Sequence, residues 1–242
     1  MSVAVQAFAY EFAQTPCGSL RTRLMAAEVL LRASGALWME DERALVVADL
    51  HLEKGSSYAA RGQMLPPYDT RETLRRLAAE VAALAPAVVV LLGDTFHDRR
   101  SEERLAAEDA EALRELARGR TLVWVVGNHD ADGPQALPGE TADELSMLGL
   151  TFRHEPQAGL RPGEVAGHLH PAARVTASRG SVRRRCFITD GERAILPAFG
   201  AYAGGLNVRD EAFAGLFARP PLAGALGAGR VHAVGWRSLA HD

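Results

Sequence analysis

One pattern constrains this chain more than any other: three times, an apolar run breaks off into residues that can ligate a cation. Residues 44–50 end in Asp49 and His51, residues 87–92 in Gly93 and Asp94, and residues 121–126 in Gly127, Asn128 and His129. Runs this short with no polar alternation predict strands buried on both faces, as in the centre of a sheet covered by helices. The intervening segments supply such helices. Leu74, Leu77, Val81 and Leu84 fall at three- and four-residue steps before Pro86, which predicts an amphipathic helix over 69–84. Ser101 is expected to cap a second helix reaching about Arg118, with Leu105, Leu113 and Leu116 on its apolar side. Alternating strands and helices place a binding site at the carboxyl ends of the strands, where the ligand-type residues stand.

Around this unit the signals differ. Residues 36–39 and 44–50, separated by a charged turn, predict two adjacent strands. After residue 160, short β-rich runs at 164–170, 174–177, 182–189, 194–196 and 231–236 predict a mostly antiparallel sheet, while 204–205 and 223–229 read as loops. The first twenty residues, punctuated by Pro16 and Gly18, are expected to pair as an edge or to stay loose. The 242 residues suit one domain, 1–242.

Composition excludes several classes. Hydrophobic residues at 48% and charged residues at 24% are ordinary for a globular chain and far from disorder. A net charge of -3 provides no global field for nucleic acid, so any attraction for a polyanion must be local. Lys54 is the only lysine, which leaves the positive charge to arginine. Cys17 and Cys186 are too few for a disulfide framework or a thiolate metal site, and no run has the length of a membrane span. A cytoplasmic location is the expectation.

The chemistry lies in five blocks in order: Asp49-Leu50-His51, Gly93-Asp94, Gly127-Asn128-His129-Asp130, His154, and Gly167-His168-Leu169-His170. Carboxylate, imidazole and amide oxygen are donors for Mn²⁺, Fe or Zn²⁺. Residues two apart on a strand share a face, so Asp49 with His51, and His168 with His170, can reach one site if strand geometry persists. Any one block alone is commonplace. Their occurrence together at strand ends is what points to a metal centre.

In these blocks the chain resembles the calcineurin-like metallophosphoesterase superfamily, over about residues 49–170. The resemblance implies a four-layer αββα sandwich, two mixed sheets flanked by helices, with two divalent metals at the carboxyl edge. It further implies that Asp49, His51 and His170 hold one metal, that Asn128, His154 and His168 hold the other, and that Asp94 bridges them. His129 then faces the substrate phosphate, where an imidazole can stabilise charge or protonate the leaving oxygen, with Asp130 or else Asp98 orienting its ring. Two cations about 3.5–4 Å apart can activate a water and clamp phosphate oxygens for in-line attack.

Further stretches are similar to one branch, the ligase-associated DNA damage response endonucleases known as the PdeM family. They are Ala48 through Gly55, Gly93 through Asp98, Gly167 through Pro171, and Leu196 through Gly205. Ala203 departs from the Thr that family tends to carry. This resemblance implies a Mn²⁺-dependent phosphodiesterase or endonuclease acting on DNA or a small phosphodiester, beside an ATP-dependent DNA ligase, a helicase and an exonuclease. Arg99 and Arg100, with Arg104, are candidates to grip substrate phosphate at the rim, and Arg183, Arg184 and Arg185 form the densest basic run. Two rival readings keep the same residues: a phosphomonoesterase or nucleotide hydrolase, and a non-catalytic scaffold on this fold.

Overall fold

A computed structural model describes residues 11–177 and 180–242. Its first sheet holds eight strands in sequence order: β1 (Phe12–Gln14), β2 (Leu20–Leu24), β3 (Ala27–Leu31), β4 (Leu37–Met39), β5 (Ala44–Ala48), β6 (Val88–Leu92), β7 (Thr121–Val125) and β8 (Glu140–Ala142). From β1 to β5 the strands form an antiparallel meander, and from β5 to β8 they are parallel. Parallel neighbours need crossovers. Those crossovers carry α1 (Lys54–Ala59) and α2 (Asp69–Leu84), then α3 (Ser101–Arg104) and α4 (Ala107–Ala117).

The period of two along β5, β6 and β7 accounts for their apolar runs. Leu45, Val47, Val89, Leu91, Leu122 and Trp124 point to one face and pack with Leu74 and Leu77 of α2 and Leu113 and Leu116 of α4. Ala44, Val46, Val90, Leu92, Val123 and Val125 point the other way, into a core shared with the second sheet. Both faces exclude water, so no polar side chain is tolerated until the strands end.

The second sheet contains β9 (Glu144–Met147), β10 (Leu150–Arg153), β11 (Glu164–Ala166), β12 (Ala172–Ala177), β13 (Gly180–Thr189), β14 (Ala194–Ile195), β15 (Leu222–Gly227), β16 (Arg230–Gly235) and β17 (Leu239–Ala240). Its main path runs β16-β15-β13-β14-β11-β10-β9, with β12 joined to β13 and β17. The sheet is mixed, because β11 is parallel to both β10 and β14 while the remaining pairs are antiparallel. Phe152, Val165, Phe187 and Leu222 face the first sheet. Cys186, Ile188, Ile195 and Ala223 face outward beneath Val208, Phe213 and Leu216.

The expected sandwich of two mixed sheets is present, and among the described residues its α-helices pack on the first sheet. Single 3₁₀ turns at Glu211–Phe213 and Trp236–Ser238 and the β12–β17 ribbon lie on the other side. Residues 223–229 are not a loop, since β15 pairs with both β13 and β16. Its Gly and Ala residues suit a crowded interior, where a Cβ on Gly224 would stand 3.0 Å from Val231. The helix expected over 101–118 is broken, as Leu105 and Ala106 are extended, and the Ser101 hydroxyl accepts from Asp98 N and Arg104 instead of capping. Within the first twenty residues, β1 pairs with β2 at the edge of the first sheet, as one of the two expectations had it, and Leu20 is buried; residues 1–10 lie outside the described part.

One buried cation braces the chain around β11. The Arg193 guanidinium is paired with Glu164 and donates to the carbonyls of Gln157 (2.6 Å), Gly159 (2.8 Å) and Leu216 (3.0 Å). Both charged partners are shut away from water. Arg193→Ala is expected to lose about 3–5 kcal/mol of unfolding free energy, read by urea titration, because it strips a buried carboxylate of a partner. A midpoint equal to that of the wild type would refute this.

Candidate metal centre

The site assembles where β5, β6, β7, β10 and β11 stop. Beyond each stop the backbone bends rather than continuing extended. Asp49 (φ 53°), His51 (φ 46°), Asp94 (φ 43°), His168 (φ 65°) and His170 (φ 45°) all adopt the left-handed region. Asp49 with His51, and His168 with His170, therefore converge through successive kinks and not through persistent strand alternation, correcting the geometry anticipated from i, i+2 spacing. Such conformations cost of order 1–3 kcal/mol each and survive only where the surroundings over-determine them.

Here they are over-determined by cross-loop hydrogen bonds. Asp49 N donates to Gly93 O (3.2 Å), His51 N to Asp94 O (2.9 Å) and Leu52 N to Thr95 O (2.8 Å). Phe199 N donates to Ala48 O (2.7 Å) and Gly200 N to Asp49 O (3.1 Å), so the 196–205 block supports the backbone of the first ligand loop. The glycines beside these side chains make room. A Cβ on Gly127 would lie 2.2 Å from Asp94 Oδ1, one on Gly167 2.4 Å from Asp49 Oδ2, and one on Gly93 2.1 Å from His154 Nδ1. The sequence displayed these glycines without displaying this reason for them.

The side chains converge on two adjoining points. His51 Nε2 lies 3.2 Å from His170 Nε2, and His170 Nε2 lies 3.3 Å from Asp49 Oδ1. On the other side His154 Nε2 is 2.8 Å from Asn128 Oδ1, 3.1 Å from His168 Nδ1 and 3.3 Å from Asp94 Oδ2. Asp94 Oδ2 is also 4.0 Å from His51 Nε2. Three donor triples result: Asp49, His51 and His170; Asp94, His154 and His168; and His51, Asp94 and His129. Ring nitrogens that face one another beside buried carboxylates suit cations, whose charge would satisfy lone pairs that cannot all be served by protons.

The electrostatics agree. Burial, then the charge of His170, holds His51 below the ordinary imidazole range, and burial with His154 lowers His168, so both present lone pairs at neutral pH. Burial works against charge on Asp94, but the hydrogen bond and charge of His154 outweigh it and keep the carboxyl low. Burial likewise opposes charge on His154, which Asp94 and Asp49 more than offset. The set balances negative oxygen against imidazole. It fits hard-to-borderline divalent metals, and no thiolate takes part.

His129 differs from these groups in being 40% exposed at its side chain. Its backbone N donates to Asp94 Oδ1 (2.9 Å) and its Nδ1 lies 2.8 Å from His97 O, which leaves Nε2 toward the site, 3.9 Å from Asp94 Oδ2. The orienting group is therefore the His97 carbonyl and neither of the carboxylates anticipated. Asp130 instead accepts from Gly127 N (2.9 Å) and Phe96 N (3.1 Å), bracing the turn that carries Asn128 and His129. Asp98 is occupied by Arg104 (2.8 Å). His97 was not singled out from the sequence, although its ring also stacks on His129 (centroids 5.5 Å, 19° apart); its place in the Gly93–Asp98 block was the available signal.

The arginines separate as well. Arg100 pairs with Glu103 (3.2 Å), and Arg104 reaches Asp98 and Ser56. Arg99 is exposed with no ion pair among the described residues. Along β13, Arg183 pairs with Asp242 (3.2 Å) while Arg185 turns inward to the carbonyls of Ala198 (2.8 Å) and Gly200 (3.1 Å), so the run does not form one phosphate track.

Gly127→Ala tests the cradle. The variant is expected to fold but to bind Mn²⁺ about 10–100-fold more weakly by calorimetry, since its methyl group must displace Asp94. Unchanged affinity would remove the explanation for that glycine.

Comparison with known proteins accords with this geometry. The family model described as calcineurin-like phosphoesterase matches residues 42–193, a stretch that ends at Arg193 and contains all the donors above. Among solved structures, the nuclease MPE of Pseudomonas putida is similar at 29% identity with a TM-score of 0.68, covering 93% of this chain and 100% of that one. Yfce, a phosphoesterase from E. coli, matches at 16% identity and a TM-score of 0.40, over 79% of this chain and 98% of that one. No curated protein matches. No helix among the described residues is long and apolar enough to cross a membrane. With more than half its length matched by the model, the chain belongs to the calcineurin-like phosphoesterase family.

Proposed function

We propose that this protein is a two-metal phosphodiesterase that cleaves DNA. The observation that carries the proposal is the Asp94 carboxylate, set between two groups of donors with the open Nε2 of His129 beside it. Asp49, His51 and His170 would hold one cation and Asn128, His154 and His168 the other, with Asp94 shared. Bound there, divalent cations would acidify a water and neutralise phosphate oxygens. Mn²⁺ is the metal proposed, on the resemblance to the PdeM family; the oxygen and imidazole set also accepts Fe or Zn²⁺.

The chain's own residues do the rest. Asp49 and Asp94 present buried negative charge, and the backbone N–H groups of His168 (3.0 Å) and His129 (2.9 Å) hold those carboxylates in place. The His97 carbonyl fixes the His129 tautomer with the proton on Nδ1, so Nε2, once protonated, can donate to the leaving oxygen. A DNA substrate is supported by likeness along almost the whole chain to a structure described as a nuclease. Its use in repair, beside a ligase, a helicase and an exonuclease, is supported by the four blocks shared with the PdeM family.

Hydrolysis of bis-nitrophenyl phosphate is expected to depend on added Mn²⁺, to stop with EDTA and to exceed hydrolysis of nitrophenyl phosphate. A preference for the monoester would overturn the diesterase reading. Asp94→Ala is expected to abolish turnover, because it removes a donor from both groups at once. His129→Ala is expected to lower kcat about 10²–10⁴-fold with Mn²⁺ still bound. Lost Mn²⁺ binding in that variant would make His129 a ligand.

A further inference from the structure

Between α1 and the Asp98 loop lies a cavity of about 410 Å³ lined by Ser57, Arg61, Asp98, Arg99, Arg100 and Arg104. Four of these are guanidinium groups and one is a carboxylate. The carboxylate is already engaged: burial opposes its charge, but hydrogen bonds from Arg104 and Ser57 bring Asp98 down to about 2. Arg100 and Arg104 also have partners, in Glu103 and in Asp98 with Ser56. Arg61 and Arg99 are exposed and in no ion pair among the described residues. The cavity thus keeps two uncompensated guanidinium groups on its walls.

Its position relates it to the metal centre. His97 and Asp98 are consecutive, and the His97 ring stands between His129 (5.5 Å between centroids) and Tyr58 of α1 (5.9 Å), one helical turn before Arg61. The charge of Arg61 is felt at the His97 ring, where burial, Lys54 and His129 act in the same direction. On the other side of Arg99 a second cavity, of about 460 Å³, is lined by Asp98, Glu102, Asp130 and Asp132. The two cavities share Asp98 and Arg99 and are opposite in charge.

We propose that the Arg61–Arg99 cavity binds the phosphate adjoining the scissile one, so that the polynucleotide leaves the metals across α1 and not across the acidic cavity. This rests on the phosphodiester reading above and gives that substrate a direction. A guanidinium free of ion pairs can grip a phosphate through two parallel N–H bonds, whereas the carboxylates of the second cavity repel it.

The test is binding of a single-stranded DNA oligonucleotide with phosphorothioate linkages, which keep their charge and resist hydrolysis, followed by fluorescence anisotropy across a salt series, to the metal-loaded wild type, Arg61→Ala, Arg61→Lys and Asp132→Asn. Arg61→Ala is expected to weaken binding about fivefold and to lower the slope of log affinity against log salt by about 0.7, the value of one phosphate contact on a single strand. Arg61→Lys should restore the slope while recovering only part of the affinity, because the point charge remains and the fork does not. Asp132→Asn should change neither. Equal affinity and slope for Arg61→Ala and wild type would overturn the proposal, as would tighter binding by Asp132→Asn, which would put the strand against the acidic cavity. Bis-nitrophenyl phosphate turnover by the wild type separates the two failures: absent turnover sinks the parent reading, and present turnover with an unaffected Arg61→Ala sinks the cavity alone.

Discussion

Asp49 and Asp94 are two carboxylates with almost no solvent, and the rest of the site is arranged around that fact. A buried carboxylate must be neutralised by protonation, by pairing or by a cation. Pairing here is done by backbone N–H donors and imidazoles: burial holds His51 and His168 toward the neutral form, while Asp94 and Asp49 push His154 toward the charged one. No arginine or lysine is paired with either carboxylate among the described residues. That omission leaves the negative potential available to a metal.

The same burial imposes the backbone geometry. A strand that simply continued would carry Asp49 and His51 past the edge of the sheet on a straight course. A left-handed residue at each turns the chain back over the sheet edge, and neighbouring loops then hydrogen-bond to one another in place of the lost ladder. The 196–205 block makes sense in this light. It contributes no ligand, yet its backbone bonds to Ala48 and Asp49, and a Cβ on Gly205 would collide with His170 O at 2.2 Å. A segment remote in sequence from the donors is thereby constrained as tightly as the donors.

Legibility in the sequence followed how local each signal was. The helix at 69–84 and the strands β5, β6 and β7 were readable because burial on both faces writes unbroken apolar runs between caps and prolines. Strand β15 was not, because its code is small residues filling a tight gap, which along a sequence looks like a flexible loop. The break at Leu105 and Ala106 was also hidden, since Arg104 is drawn to Asp98 and Ser56 by contacts from outside the helix. At the site, residue types announced the candidate donors. The partner that orients His129 could not be announced, because it is a main-chain carbonyl and every residue has one.

Exposure finally separates the residues proposed to hold cations from the one proposed to react. Asp49, His51, Asp94 and His154 are sealed beneath the sheet edge, and any movement there would unpair several buried groups at once. His129 is tied by its backbone to Asp94 and by one ring nitrogen to His97, but the other ring nitrogen meets solvent. Under the proposed mechanism His129 exchanges a proton with substrate and then with water and needs that access, whereas the residues proposed to hold the cations are better without it. The rigidity of the sealed Asp94 therefore passes to the His129 backbone through one hydrogen bond, and the second, to the His97 carbonyl, aims the ring and leaves Nε2 open.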